Sequence, residues 1–233
     1  MKKNRPGASS IKESFVQKFE NMILSGELVP GDKLPPEREI VETMGVSLTV
    51  VNSGIGELAA KGFVEVRPRQ GVFVTDYIHK GTMETLVSIM RYNNGKLNAR
   101  EVRSFMDTRI VLERLAITET VKNAEPSQIE ALGRFLPMLR EETDTRRFSE
   151  LILDYFHQIH TLSGNVLLPL LFHSFREPSI SLYQRYIRRN SRQEVYDYAE
   201  RVYINIAAGN TEEACRASEE ILVKAVSGDS SII

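Results

Sequence analysis

The stretch VSLTVVNSGIGELAAKGFVEVRPRQGVFV, Val46 to Val74, decides how the first part of the chain folds. Ser47 is a good helix N-cap, and apolar residues then recur at helical spacing, which predicts a helix. Two short β-rich runs, FVEVRP and GVFVT, follow on either side of Arg69-Gln70 and predict a hairpin. The inward face of the helix is predicted to consist of Val51, Ile55, Leu58 and Ala59. Its other face carries small and polar groups, which indicates a surface that lies against another molecule.

Two further helices precede this one. Ser10 and Glu13 have capping-box spacing at the start of an amphipathic run that Gly26 ends. After a Pro-Gly turn, PEREIVETM forms a second short helix from Pro36, and Gly45 stops it. Two short helices with a tight turn between them form the helix-turn-helix arrangement, whose second helix reaches base edges with its N-terminal residues.

The outward residues suit DNA. Thr49 can contact a phosphate or a thymine methyl group, and Asn52 can pair with adenine through two hydrogen bonds. At the hairpin tip, Arg67, Arg69 and Gln70 would form a wing that reaches a phosphate or the minor groove. Gly54 and Gly56 are interpreted as positions of close packing between helices or near the DNA backbone. The alternative is a small α+β unit of another function whose tip arginines are simply solvated.

Composition limits the other possibilities. The chain has 233 residues, 42% of them hydrophobic, and a formal net charge of −1. Residues 1–77 hold ten Lys and Arg against ten Asp and Glu, so DNA binding must depend on local clusters of charge. One cysteine, Cys215, suits a reducing cytoplasm, and no long apolar run predicts a membrane span.

From Thr82 onward every periodic segment is helical. Capping pairs stand at Asn98 with Glu101, Ser127 with Glu130, and Ser191 with Glu194. The predicted fold is mainly α: a winged helix-turn-helix, then an all-helical bundle. We expect a DNA-binding domain over 1–77, a linker and short helix over 78–97, and an effector-binding and dimerisation domain over 98–233. The short helix is expected to end at Asn93-Asn94-Gly95.

The segment Gly26 to Val74 closely resembles the winged helix-turn-helix of the GntR family of bacterial transcription regulators. The resemblance is carried by Pro30-Gly31, Leu34-Pro35, Glu37-Arg38, Gly45 to Ser47, Leu58 to Gly62 and Gly71 to Val74. It implies a dimer on a palindromic DNA operator, with Arg38 and the start of the third helix at the DNA. The family usually has arginines where this chain has Leu48 and Asn52, which predicts fewer arginine–guanine contacts and a larger apolar or adenine contribution. The expected DNA contacts are Arg38, Ser47, Leu48, Thr49, Asn52, Arg67, Arg69 and Gln70.

The helical part resembles the effector domain of the FadR branch of this family, the FCD type. The segments MDTRIVLERLAITE, LDYFHQIHTLSGN and AAGNTEEACRASEEIL carry this resemblance. Many members bind a divalent metal through an Asp and three His, but here only His157 stands at a ligand position; the others fall on Leu153, Ala199 and Ile221. We therefore expect no cofactor and no dedicated metal, with only a weak site conceivable at Asp154, His157 and His160.

Without a metal, a cationic side chain must attract an acidic effector, and Arg109 is the best candidate. An ordinary ion pair with Glu113 is an equally good interpretation of Arg109. The effector would be a small organic acid or an acyl thioester. The residues expected around it are Arg109, Tyr155, His157, Asn165, Tyr183 and Arg185.

The sequence thus predicts a cytoplasmic, homodimeric regulator, a repressor, whose affinity for double-stranded DNA changes with a small molecule. No membrane partner is expected. One alternative is a DNA-binding dimer with no effector. Another is a metal-dependent enzyme on the helical bundle, for which the scattered histidines offer no clustered site.

Overall fold

The computed structural model describes residues 8–92, 97–229 and 231–233. The chain divides into two compact units, Met1–Asn93 and Asn94–Ile233. The first is a small helical unit with a two-stranded sheet, and every regular element described in the second is an α-helix. The predicted fold class is therefore confirmed. No helix in the described parts of the chain has the length and apolar character needed to cross a membrane.

The first unit holds the elements of the predicted winged domain and two more short helices. Its elements are α1 (Ala8–Leu24), α2 (Glu37–Met44), α3 (Leu48–Ala60), β1 (Val64–Arg67), β2 (Gly71–Val74), α4 (Tyr77–Lys80) and α5 (Met83–Arg91). Helix α1 begins before the predicted cap at Ser10. The predicted end of α5 at 93–95 lies outside the described residues.

The core of this unit forms where α1 crosses α3. Phe15 and Phe19 of α1 are buried with their rings 4.9 Å apart, beside Val51, Ile55 and Leu58 of α3. Burying large apolar side chains is the main free-energy gain available to so small a unit. The inward face of α3 is thus fixed, and its opposite face is left to solvent.

The turn between α2 and α3 follows the predicted signals. Gly45 ends α2 with φ of 64°, a left-handed conformation that glycine adopts without strain. The Ser47 side chain then accepts a hydrogen bond from the backbone N–H of Val50 and caps α3. These two residues set the angle at which α3 leaves α2.

The hairpin after α3 is antiparallel, with Val64 opposite Val74 and Arg67 opposite Gly71. At its tip Arg69 has φ of 63°, which is uncommon outside glycine and lets the chain reverse between the strands. Lys33 adds a single bridge to Phe73 on the other side of β2. A segment that precedes the helix-turn-helix therefore runs beside the wing.

The segment expected to be a linker contains α4 and α5. The Thr85 hydroxyl of α5 donates to the carbonyl of Lys61, and the Ser88 hydroxyl donates to Glu20 Oε1 at 2.9 Å. Both partners belong to the winged unit. A linker beginning at residue 78 stays our proposal, but α5 packs as part of the first unit.

The second unit contains eight helices within its described residues. They are α6 (Ala99–Asn123), α7 (Pro126–Gly133), α8 (Phe135–Glu141), α9 (Thr145–Leu162), α10 (Leu168–Ser174), α11 (Arg176–Arg189), α12 (Arg192–Ala207) and α13 (Thr211–Val226). The short helices α8 and α10 were not predicted.

The helix starts test the predicted caps. Asn98 with Glu101 forms a capping box at α6, and the Ser191 side chain caps α12, as predicted. The cap predicted at Ser127 is wrong: α7 already begins at Pro126, and the Gln128 side chain accepts from the backbone N–H of Glu125. Proline at the first helical position explains the shift, because it has no N–H to satisfy there.

Candidate functional site

The start of α3 presents an exposed, mostly uncharged surface. Leu48 is 49% exposed, and Ser47, Thr49 and Asn52 are exposed beside it. Helix α3 contains no Lys or Arg along its whole length, and its single charged residue is Glu57. Any positive charge near this helix must come from other elements.

Asn52 is held by a neighbour on α2. With its amide nitrogen turned toward Glu37, Asn52 donates to both carboxylate oxygens, at 2.9 and 3.1 Å. Reading adenine through two hydrogen bonds requires both the amide nitrogen and the amide oxygen. The nitrogen is engaged here, so Asn52 presents chiefly an acceptor unless Glu37 releases it. Arg38, next along α2, is exposed.

The wing supplies the cations that α3 lacks. Arg67 pairs with Glu65, and its guanidinium lies 4.3 Å from the centre of the Phe73 ring, so the side chain is held along the hairpin. Arg69 and Gln70 are exposed at the tip. The bridge to Phe73 brings Lys33 to the same hairpin. Sequence patterns gave no signal for Lys33, because its proximity depends on a pairing between segments 40 residues apart.

A buried charged cluster lies in the second unit. Arg109 and Glu113 sit one turn apart on α6, and each side chain is 1% exposed. Arg109 Nε donates to Glu113 Oε1 at 3.0 Å, and Nη2 donates to both Glu113 and the Tyr183 hydroxyl. The Ser218 and Tyr198 hydroxyls donate to the other carboxylate oxygen. We call these five residues the Arg109 cluster.

Burial alone would lower the pKa of Arg109, but Glu113, Tyr183 and Tyr198 together outweigh that effect, and the net shift is upward. Burial also raises the pKa of Tyr183 and of Tyr198, so both hydroxyls stay protonated at pH 7. The guanidinium therefore keeps its positive charge, and the Glu113 carboxylate compensates that charge within the protein. An acidic ligand would meet an arginine whose charge is largely compensated.

His160 lies close to this cluster in a dry environment. Its ring stacks on Phe172 at 4.2 Å, and Arg109 approaches the same phenylalanine at 5.6 Å. Since a carbonyl can only accept, the 2.8 Å contact to Phe156 O shows that Nδ1 carries the proton. The other nitrogen, Nε2, is buried without a hydrogen-bond partner. Burial lowers the pKa of His160 to about 4, so the ring is neutral at pH 7.

The residues expected around an effector are only partly brought together. Arg109 and Tyr183 are in contact, as described. Tyr155 is buried and donates to Ala199 O at 3.1 Å, and burial raises its pKa. Asn165 and Arg185 are exposed, and the Asn165 side chain accepts a hydrogen bond from the Leu167 N–H just before α10. His157 is half-buried, 5.9 Å from the ring of His173; burial and then His173 lower its pKa.

Two of the three residues of the conceivable metal site have other partners. Asp154 pairs with Arg176 at 2.7 Å, and His160 uses Nδ1 for Phe156 O. Across the described residues, no group of three or more His, Cys, Asp or Glu side chains is placed to hold a metal ion. The described side chains at these three positions thus do not form a metal-ligand set.

The comparisons with known proteins agree with this geometry. Residues 11–74 match the family described as bacterial regulatory proteins, gntR family, and residues 104–224 match the FCD domain. The chain belongs to the GntR family. Its two matched segments correspond to the winged unit and to most of the helical unit, so the resemblance seen in the sequence is confirmed.

Individual GntR-type relatives cover most of the chain. YieP, an uncharacterized HTH-type transcriptional regulator of Escherichia coli, is 32% identical over 69% of this chain and 72% of its own length. Mce2R of Mycobacterium tuberculosis is 28% identical over 74% of this chain and 72% of its own. LutR of Bacillus subtilis is 25% identical over 83% of this chain and 89% of its own length.

A solved structure shares the fold. It is described by the words "Lar controls the expression of the Listeria monocytogenes agr system and mediates virulence", and it covers 97% of each chain with a TM-score of 0.62 at 15% identity. The family and its relatives are transcriptional regulators, so the chain is a DNA-binding regulator and not an enzyme. The metal-dependent enzyme considered from the sequence is set aside.

Proposed function

We propose that this GntR-family regulator binds a palindromic operator as a homodimer, with the start of α3 in the major groove and the wing on the flanking backbone. The observation that carries the proposal is the exposed start of α3 beside the exposed cations of the wing and α2. The expected contacts are Arg38, Ser47, Leu48, Thr49, Asn52, Arg67, Arg69 and Gln70, to which the geometry adds Lys33.

The chemistry of α3 predicts the bases that it reads. Leu48 offers only an apolar contact, which suits a thymine methyl group. Asn52, bound to Glu37, offers mainly its amide oxygen. We therefore expect few guanine contacts at the bases that face these two residues.

Selection from a random DNA pool tests the operator proposal. The wild-type protein should enrich a palindrome with A·T pairs opposite Leu48, and a Leu48→Arg variant should shift the enriched base there to guanine. Light scattering of the purified complex should give two chains per site. Failure to enrich any palindrome, or enrichment of guanine by the wild type, would overturn this assignment.

We further propose that the protein is a repressor released from DNA by an organic acid or acyl-type metabolite bound in the helical unit. The neutralised Arg109 cluster favours an acyl-type ligand over a small acid, because Glu113 already supplies the counter-charge. A route to the DNA-binding helix is available: α5 is the last described element before the second unit, and Thr85 holds the Lys61 carbonyl at the end of α3. Movement of α5 would then change how the two recognition helices fit their half-sites.

A second candidate function also has an observation in its favour. The interior beside Arg109 is filled by the protein's own side chains, with a cavity of only about 20 Å³ left. A regulator with no effector would look the same. Thermal denaturation with a panel of acids and acyl compounds separates the two, because a ligand at 100 times its Kd should stabilise the protein by about 2.7 kcal/mol. No stabilisation by any compound would favour the effector-free regulator.

A further inference from the structure

The small cavity beside Arg109 is lined in part by a residue that follows the last helix. Three helices line it with residues one turn apart, among them Met106 of α6, Leu182 and Tyr186 of α11, and Leu222 of α13. Arg109 and Tyr183 form its polar side, and Ile232 completes the lining. The Ile232 side chain is completely buried. An apolar side chain from outside the helices is therefore packed against the space beside Arg109.

Among the described residues, few hydrogen bonds hold this segment after α13. Gly228, with φ of 70°, turns the chain back after α13, and the Ser231 N–H donates to its carbonyl at 3.2 Å. The Ile232 N–H donates to Ala225 O at 2.9 Å and joins the described part of the segment to α13. Side-chain burial is thus the main force that keeps Ile232 in place.

We propose that Ile232 is a displaceable plug in the effector site, and that the effector is a neutral acyl compound whose aliphatic chain replaces the Ile232 side chain. Its carbonyl oxygen would accept hydrogen bonds from the Arg109 guanidinium and the Tyr183 hydroxyl. This deepens the proposed effector response and rests on it. An aliphatic chain matches the lining, and an uncharged oxygen matches an arginine that Glu113 already neutralises.

The burial of one isoleucine sets the scale of the effect. Full burial of such a side chain favours the closed state by a factor on the order of 10 to 100. The apparent affinity of a ligand that needs the open state falls by the same factor, because only the open fraction is competent. Replacing Ile232 by a smaller residue should restore most of the lost affinity.

The test measures ligand binding by the full-length protein without DNA, with hexanamide and hexanoate as probes in isothermal titration calorimetry. Ile232→Ala should bind hexanamide at least tenfold more tightly than the wild type, and Ile232→Trp should not bind it. Ile233→Ala, next to the plug and outside the cavity lining, is the matched control and should behave as the wild type does. Circular dichroism checks that each variant is folded.

A second readout needs no disruptive variant. In protein with ¹³C-labelled isoleucine methyl groups, the Ile232 signal, assigned through Ile232→Val, should move to an exposed-type shift as hexanamide saturates the wild type. Equal affinities for hexanamide in the wild type, Ile232→Ala and Ile232→Trp would show that Ile232 does not act as a plug. An effector site elsewhere in the protein would still be compatible with that result. Binding of hexanoate more than tenfold tighter than hexanamide would refute the neutral ligand. If neither probe binds any variant, the plug is rejected, while the operator selection still decides DNA binding independently.

Discussion

Arg109 and Glu113 form an ion pair inside the helical unit, with each side chain only 1% exposed. A surface pair at this spacing contributes a few tenths of a kcal/mol, but a buried charge that loses its partner is costly. Glu113→Gln leaves the guanidinium charged among Phe172, Tyr183 and Tyr198 with no counter-ion. We expect it to lower the free energy of unfolding by about 3–5 kcal/mol.

Urea denaturation followed by tyrosine fluorescence measures this loss. The double variant Arg109→Met, Glu113→Leu removes both charges at similar volume and should be clearly more stable than Glu113→Gln. A single variant within about 1 kcal/mol of the wild type would contradict a dry site around the pair.

His160 should make stability depend on pH. Its pKa is about 4 in the folded protein, below the ordinary 6.5, because the ring is buried. Below pH 6.5 the unfolded chain therefore binds a proton on His160 that the folded chain does not bind. The stability that the neutral ring contributes is fully present above pH 6.5 and is lost as the pH falls toward 4. Between pH 7.5 and 4.5 we expect His160 to account for a loss of about 2 kcal/mol.

The comparison variant is His160→Gln, which cannot titrate. Unfolding free energies of both proteins at the two pH values isolate the histidine, since carboxylates such as Glu57 and Glu220, whose pKa values are lowered, contribute equally to both. If the two proteins lose the same stability on acidification, the ring is not the buried neutral group described.

The two glycines of α3 should respond in opposite directions to alanine. A Cβ on Gly54 would overlap Phe15 Cδ1, whereas a Cβ on Gly56 meets nothing within 4 Å. Gly54→Ala should therefore destabilise the protein by about 1–3 kcal/mol through overpacking. Gly56→Ala should stabilise it by about 1 kcal/mol, because alanine favours the helix.

Thermal unfolding of the pair tests this, each variant serving as the other's control. Operator binding adds information on Gly56, which the sequence placed either between packed helices or near the DNA backbone. Weaker binding by a more stable Gly56→Ala protein would mean that the added methyl group meets the DNA backbone.

Arg69 should contribute to DNA binding through charge. Removing one phosphate contact reduces the slope of log K against log salt by about 0.9. Arg69→Ala should show this smaller slope at every DNA sequence tested, with unchanged stability. Arg185→Ala, equally exposed in the helical unit, is the matched control and should keep the full slope. Fluorescence anisotropy over a salt series gives the slope for each protein. Identical slopes for the wild type and both variants would show that the wing tip does not contact DNA.

Local signals explain what could be predicted from the sequence. Gly45, Ser47 and the Asn98–Glu101 box act over three or four residues, so spacing alone locates these helix ends. Family resemblance added the identity of both units. The short helices α8 and α10 escaped prediction because neither is longer than seven residues and no pattern distinguishes such a length.

The chemistry of the interior depends on distant residues. The spacing of Arg109 and Glu113 indicated a pair, but its burial depends on Tyr183, Tyr198 and Ser218, which are 74, 85 and 105 positions from their partners in the cluster. The plug residue Ile232 likewise meets α6 and α11 only in the folded unit. No local periodicity carries such information.

The absence of any cation from α3 has a consequence for how the regulator would search a genome. If α3 lies in the groove, as proposed, its contacts contribute little to the sequence-independent attraction by which regulators linger on random DNA. More of the discrimination then comes from shape and methyl contacts that only the cognate site provides. We expect a protein that leaves non-cognate DNA quickly and spends a larger share of its bound time at its target than relatives with an arginine-rich reading helix.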